Sequence, residues 1–191
     1  MNRIVFLDRD GVINQDSDAY IKTPAEFHFI PQSPQAIALL NQHGFDVILI
    51  TNQSAIGRGM IALRTLDTIF DKLKTGVEAA GGHITDIFFC PHTPQAGCDC
   101  RKPLPGLILQ AMVAHDIDPA HAFMVGDSTK DIECGRAAGI AKNILVATGN
   151  GNQAINTLKE AGIIPDFFGK DLFDAALWII DTVKKDPVKK I

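Results

Sequence analysis

Five short apolar runs, each followed by a turn and then by a segment with helical character, set the narrowest limit on this chain's fold. They are RIVFL (Arg3–Leu7), DVILI (46–50), DIFFC (Asp86–Cys90), AFMV (122–125) and NILVA (143–147). Continuous apolar runs of this length suit strands covered on both faces, as in a parallel sheet, rather than the in–out alternation of a half-exposed one. Between them, Ser33-Pro34 reads as a capping residue and first-turn proline, with His43-Gly44 as the stop. Leu63, Leu66, Phe70, Leu73 and Val77 form an apolar stripe at helical spacing that ends at Gly81-Gly82. Segments 107–115, 129–138, 152–161 and 172–183 complete the helical set. Strands alternating with helices predict an α/β, doubly wound, mostly parallel sheet with no large cap domain. One domain is expected over 1–185, followed by a basic tail at 186–191.

The remaining composition narrows the function classes. The 191 residues carry a net charge of −4, so the Lys/Arg excess that a phosphate-backbone surface needs is missing and no nucleic-acid partner is expected. The opening MNRIVFLDRDGVI meets charge after a short apolar run, which fits neither a secretion signal nor a membrane span. A cytoplasmic monomer acting on a small molecule is the expectation, and there thiols stay reduced.

Ligands of doubly wound sheets bind beyond the carboxyl ends of the strands. There the first run meets Asp8-Arg9-Asp10-Gly11, the second Thr51-Asn52-Gln53-Ser54, and the fourth Gly126-Asp127-Ser128, with Asp131 one helical turn on. Alone, an Asp-x-Asp is an ordinary acidic turn. Joined by Asp127, Asp131 and Lys102 it becomes an oxygen cluster suited to Mg²⁺, with hydroxyl, amide and ammonium groups left to face a phosphate. Strand alternation predicts that Arg9, between the two aspartates, points away from them.

CPHTPQAGCDC (residues 90–100) gathers three of the four cysteines with one histidine. Cys90, His92, Cys98 and Cys100 supply three thiolates and an imidazole, a set that closes a tetrahedral structural Zn²⁺ site. Its place just before Arg101-Lys102 predicts that it steadies the loop carrying those cations. Cys134 reads as a core residue. His28, His43, His83, His115 and His121 are expected at helix ends and the surface.

FLDRDGVIN, ITNQS, CRKPLPG and VGDSTKD resemble, in order, the four motifs of haloacid-dehalogenase (HAD) superfamily phosphatases. The resemblance implies that Asp8 is a nucleophile forming an aspartyl-phosphate and Asp10 a general acid and base. Thr51 and Lys102 would hold the phosphoryl group, and Asp8, Asp127 and the backbone carbonyl of Asp10 would ligate Mg²⁺. Asp131 would steady Asp127 or Lys102. TNQSAIGRG followed by RKPLPG is similar to a small group of that superfamily holding heptose 1,7-bisphosphate 7-phosphatases and histidinol-phosphate phosphatases, and looks most like the former. That likeness implies removal of the C7 phosphate from a sugar bisphosphate, in nucleotide-heptose and lipopolysaccharide-core biosynthesis. Asp16, Tyr20, Thr51 to Ser54 (with Asn52 and Gln53 between), Arg101 and Lys102 would line the substrate site. Tyr20 either packs on a sugar or lies on the surface. The alternatives are a histidinol-phosphate phosphatase and, from another class, a signalling module phosphorylated on aspartate.

Overall fold

The computed structural model describes residues 3–185; the tail at 186–191 lies outside them. Six strands form one sheet: β1 (Arg3–Leu7), β2 (Phe45–Asn52), β3 (Asp86–Cys90), β4 (Ala122–Gly126), β5 (Lys142–Val146) and β6 (Phe167–Gly169). Every neighbouring pair is parallel, and the spatial order is β3-β2-β1-β4-β5-β6. The helices are α1 (Ser33–Gln42), α2 (Leu63–Ala79), α3 (Gly106–His115), α4 (Thr129–Ala137), α5 (Gly151–Glu160) and α6 (Leu172–Lys185). None is long and apolar enough to cross a membrane.

The apolar runs are continuous because both faces of the sheet are covered. Val5 and Leu7 of β1, Val47 and Leu49 of β2, and Phe123 and Val125 of β4 pack with α1, α2 and α6. Their neighbours Ile4, Phe6, Ile48, Ile50 and Met124 pack on the other face with α3 and Cys134 of α4. Successive side chains of one strand therefore enter two different cores. Each buried Ile, Leu or Phe contributes about 1.5–3 kcal/mol relative to exposure, so the central strands are held from both sides.

Strand β1 departs to β2 on one side and has β4 on the other, so the winding reverses between β1 and β4. A crevice opens at such a reversal, at the carboxyl ends of the strands. The backbone N–H of Asp8 donates to the carbonyl of Val125 at 3.0 Å, which ties the end of β1 to that of β4.

Two local expectations are corrected, and one strand is unforeseen. Ser33 does not cap α1: Gln32, in the left-handed region at φ 65°, occupies that position. The Ser33 hydroxyl instead donates to the carbonyl of Ile13 at 2.6 Å, so a tertiary bond replaces the cap. Leu63 is half exposed at the first position of α2, and Ile69 takes its place on the buried stripe. Strand β6, only three residues long, has no counterpart among the apolar runs.

Candidate active site

The first strand ends at Leu7, and the chain turns at once. The carbonyl of Arg9 accepts from the N–H groups of Ile13 and Asn14 at 2.8 and 3.1 Å. This tight turn puts Asp8 and Asp10 at the crevice mouth and frees residues 8–10 from strand alternation. Arg9 consequently does not point away. It is 1% exposed and its guanidinium folds back on Asp10: Nη2 donates to both carboxylate oxygens at 2.7 and 2.8 Å, and Nε donates to Oδ1 at 3.1 Å.

Asp127 follows β4 and faces Asp8 across the crevice. It is buried, and its Oδ2 accepts from the backbone N–H and the side-chain amide of Asn150 at 2.8 and 3.2 Å. Gly11 and Gly149 make room for it. A Cβ at either would come within 2.2 Å of Asp127 Oδ2, and both have positive φ, 80° and 56°. The hydroxyl of Thr148 fastens the two loops by donating to the carbonyl of Gly11 at 2.6 Å.

Lys102 comes from the loop before α3. It is 3% exposed, and its Nζ lies 2.9 Å from Asp8 Oδ1 and 2.5 Å from Asp131 Oδ1. Asp131 is fully buried, and its second oxygen accepts from the Ser128 N–H and hydroxyl in a capping box that starts α4. Asp131 thus steadies Lys102. Asn52, at the end of β2, clasps the backbone of Lys102: its amide donates to the Lys102 carbonyl at 3.2 Å, and its oxygen accepts from the Lys102 N–H at 3.1 Å. Gln53 is likewise turned inward, donating to Thr51 Oγ1 at 2.9 Å and Asp10 Oδ2 at 3.0 Å.

Carboxylate oxygens of Asp8, Asp127 and Asp131 lie within 4.8 Å of one another. Three carboxylates against one ammonium leave two negative charges in a buried place. Burial is the chief cause that lifts the Asp8 carboxyl to about 8, against the pull of Lys102 and with a push from Asp131 and Asp127. Burial, then the Asp131 charge, lifts Asp127 to about 7. Burial works against the Lys102 ammonium, but Asp131 and Asp8 outweigh it and hold its pKa above the usual lysine value. A hard divalent cation fits this set, because it supplies the two missing charges to oxygen donors.

A cleft of about 440 Å³ opens over these groups. Asp16, Tyr20, Ser54 and Arg101 reach it as expected from the sequence, and so does Arg58, which stacks on the Tyr20 ring at 5.8 Å. Tyr20 therefore lies neither free on the surface nor in the core; it forms a wall with Arg58. Lys130 and Asn150 line the same cleft. Neither stands out in the sequence: Lys130 is a solvent-type residue in the first turn of α4, and Asn150 arrives from 23 residues beyond Asp127.

The Cys/His stretch folds back through Gly97 at φ 68°. The Sγ atoms of Cys90, Cys98 and Cys100 and the Nδ1 of His92 all lie within 4.8 Å of one another, with no cysteine paired in a disulfide. Nearest pairs are 3.3 to 3.6 Å apart, the spacing of four donors around one soft ion. Arg101 is tied to this loop, its guanidinium donating to the His92 carbonyl at 3.2 Å. Cys134 is buried in α4, away from the cluster, with its thiol facing the Leu104 carbonyl. His115 and His121 pair with Asp86 and Asp118, and His43 bonds the carbonyl of Leu39, so all three serve helix ends and surface.

The doubly wound sheet and the aspartate pair at its reversal point define a HAD-like phosphatase, a phosphoric monoester hydrolase. Residues 99–175 match the Hydrolase-like family model, described as HAD-hydrolase-like. The D-glycero-beta-D-manno-heptose-1,7-bisphosphate 7-phosphatase of Bordetella bronchiseptica is 45% identical over 161 residues, covering 84% of this chain and 88% of that one. The protein of the same name from Pseudomonas aeruginosa is 44% identical over 164 residues, 85% and 92% of the two chains. A crystal structure of the B. bronchiseptica D,D-heptose 1,7-bisphosphate phosphatase, complexed with magnesium and phosphate, superposes with a TM-score of 0.87 at 40% identity, covering 95% of this chain and 99% of that one. The chain belongs to the D-glycero-D-manno-heptose-1,7-bisphosphate 7-phosphatase family.

Proposed function

We propose that the protein removes the C7 phosphate of D-glycero-D-manno-heptose 1,7-bisphosphate through an aspartyl-phosphate. Asp8 attacks the C7 phosphorus and the bond to the sugar oxygen breaks. Asp10 donates a proton to that oxygen, then takes one from the water that hydrolyses the Asp8 acyl-phosphate. The Thr51 hydroxyl and the Lys102 ammonium hold the phosphoryl oxygens. Asp8, the backbone carbonyl of Asp10 and Asp127 would hold magnesium, which when bound offsets the repulsion between the Asp8 carboxylate and a phosphate dianion. Cys90, His92, Cys98 and Cys100 would hold a structural zinc. The reading extends to a cytoplasmic monomer, a single domain over 1–185, and a step in nucleotide-heptose biosynthesis for lipopolysaccharide.

One observation carries the choice of substrate: the cleft that holds the buried Asp8–Lys102 pair and the Arg9–Asp10 pair also bears, among the described residues, three cations without a carboxylate partner, Arg58, Arg101 and Lys130. Lys102 serves the transferring phosphate, so the others are available to a second anionic group at the far end of a small molecule. An arginine fork suits a phosphate and not the cationic amine of histidinol phosphate. The test is a kinetic comparison with Mg²⁺ present. The bisphosphate is expected to exceed histidinol phosphate by about tenfold or more in kcat/KM, since one charged contact is worth about 1.5–3 kcal/mol. Arg101→Ala should erase most of that margin and spare a small monophosphate. A higher kcat/KM for histidinol phosphate would overturn the substrate assignment.

A further inference from the structure

Asp10 is held by three side chains at the mouth of the cleft. Its Oδ1 accepts from Arg9 Nε and Nη2 and from Asn14 Nδ2 at 2.9 Å; its Oδ2 accepts from Arg9 Nη2 and Gln53 Nε2 at 3.0 Å. Three side chains thus grip one carboxylate from three directions. Arg9 is the centre of the grip. Its guanidinium is packed over the Phe70 ring at 6.0 Å and is 1% exposed, whereas the Asp10 side chain keeps 21% of its surface open. Arg9 borders the cleft, but its guanidinium is closed off while the carboxylate it holds is open to the cleft.

Two of the three guanidinium nitrogens of Arg9, Nε and Nη2, are spent on the one carboxylate of Asp10. Gln53 adds a link of its own, since the same amide nitrogen that reaches Asp10 also reaches Thr51 Oγ1.

We propose that Arg9 is a positioning residue: with Asn14 and Gln53 it fixes the Asp10 carboxylate in one orientation for proton transfer, and it touches no substrate. The inference rests on the reading of Asp10 as the general acid and base. Misplacing a reacting group by about 1 Å can cost about 10²-fold in rate, while binding groups that have not moved leave KM alone.

The test is a double-mutant cycle on the metal-loaded protein with the sugar bisphosphate, Mg²⁺ and single-turnover rates, using Arg9→Lys, Asp10→Asn and the pair together. Arg9→Lys keeps the charge and loses the fork, so it should melt near the wild-type temperature. Its kcat should drop about tenfold or more with KM within about twofold. In the Asp10→Asn background the same change should have no further effect. Wild-type kcat in Arg9→Lys, or equal losses in both backgrounds, would overturn the proposal while leaving Asp10 as acid and base. A fully active Asp10→Asn protein would instead remove the reading on which the proposal rests. Should Arg9→Lys fail to fold, Asn14→Leu carries the same cycle, because it removes one side of the grip and the Asn14 amide otherwise reaches only the Gln15 carbonyl among the described residues: the effect must again vanish when Asp10 is Asn, and persistence there counts against the proposal.

Discussion

At the residue scale the site is limited by space as much as by charge. Gly11 and Gly149 approach Asp127 from two loops, each in a backbone region that side chains avoid and each with no room for a Cβ. Gly11→Ala should therefore push Asp127 out of place. The expected result is a loss of about 10²-fold in kcat/KM with a weakened response to Mg²⁺ in titration, because a displaced carboxylate misplaces whatever it holds. Unchanged Mg²⁺ dependence would show that Asp127 tolerates the shift. Much of this site was legible in the sequence, since Asp8, Asp10, Thr51 and Asp127 closely follow or end strands that the apolar runs reveal. Arg9 was misjudged for the same reason in reverse. Alternation holds only within a strand, and β1 stops at Leu7, just before Asp8.

At the element scale, the loop between β3 and α3 is a long excursion that reaches the cleft. It has only a single short turn of 3-10 helix, at Pro94–Ala96, so little backbone bonding of its own holds Arg101 and Lys102 in place. Asn52 fastens one end and the Cys/His cluster the other. Cys98→Ala, or removal of zinc by a strong chelator, should lower the melting temperature and raise KM for the bisphosphate more than it lowers kcat, because Arg101 is carried on that loop. Elemental analysis should find about one zinc per chain. Zinc-free protein with full stability and unchanged KM would rule out the clamp. Strands β1 to β5 stood out in the sequence as continuous apolar runs. Strand β6 did not, since three residues at a sheet edge show no periodicity. Ser33 misled for a comparable reason: a distant carbonyl, at Ile13, competes for the hydroxyl that local rules assign to the helix.

At the scale of the whole molecule, the crevice between β1 and β4 concentrates charge that the fold alone does not balance. Asp8 and Asp127 hold their protons to about 8 and about 7, above the ordinary carboxylate value of 3.8. Between those limits the native state binds more protons than the unfolded chain, so without a divalent ion stability should fall as pH rises from about 4 to about 8. Magnesium held at the proposed site by Asp8 and Asp127 would take the place of those protons, so the rise in melting temperature it brings should be larger at about pH 8 than at about pH 5.5. Thermal melts with and without Mg²⁺ across that range check this, and an equal or smaller gain at the higher pH would contradict it.

The covalent route depends on Asp8 as the group that receives the phosphoryl group. Acid quench of the enzyme mixed with heptose 1,7-bisphosphate and Mg²⁺, followed by proteolysis and mass analysis, tests that directly. The expected result is a phosphate on Asp8 in the peptide containing FLDRDG, formed together with heptose 1-phosphate in a burst approaching one per chain, and absent from Asp8→Asn, whose turnover should be several orders of magnitude lower. Phosphate release without any phosphorylated peptide, from a protein in which Asp8→Asn keeps a tenth or more of the activity, would contradict it.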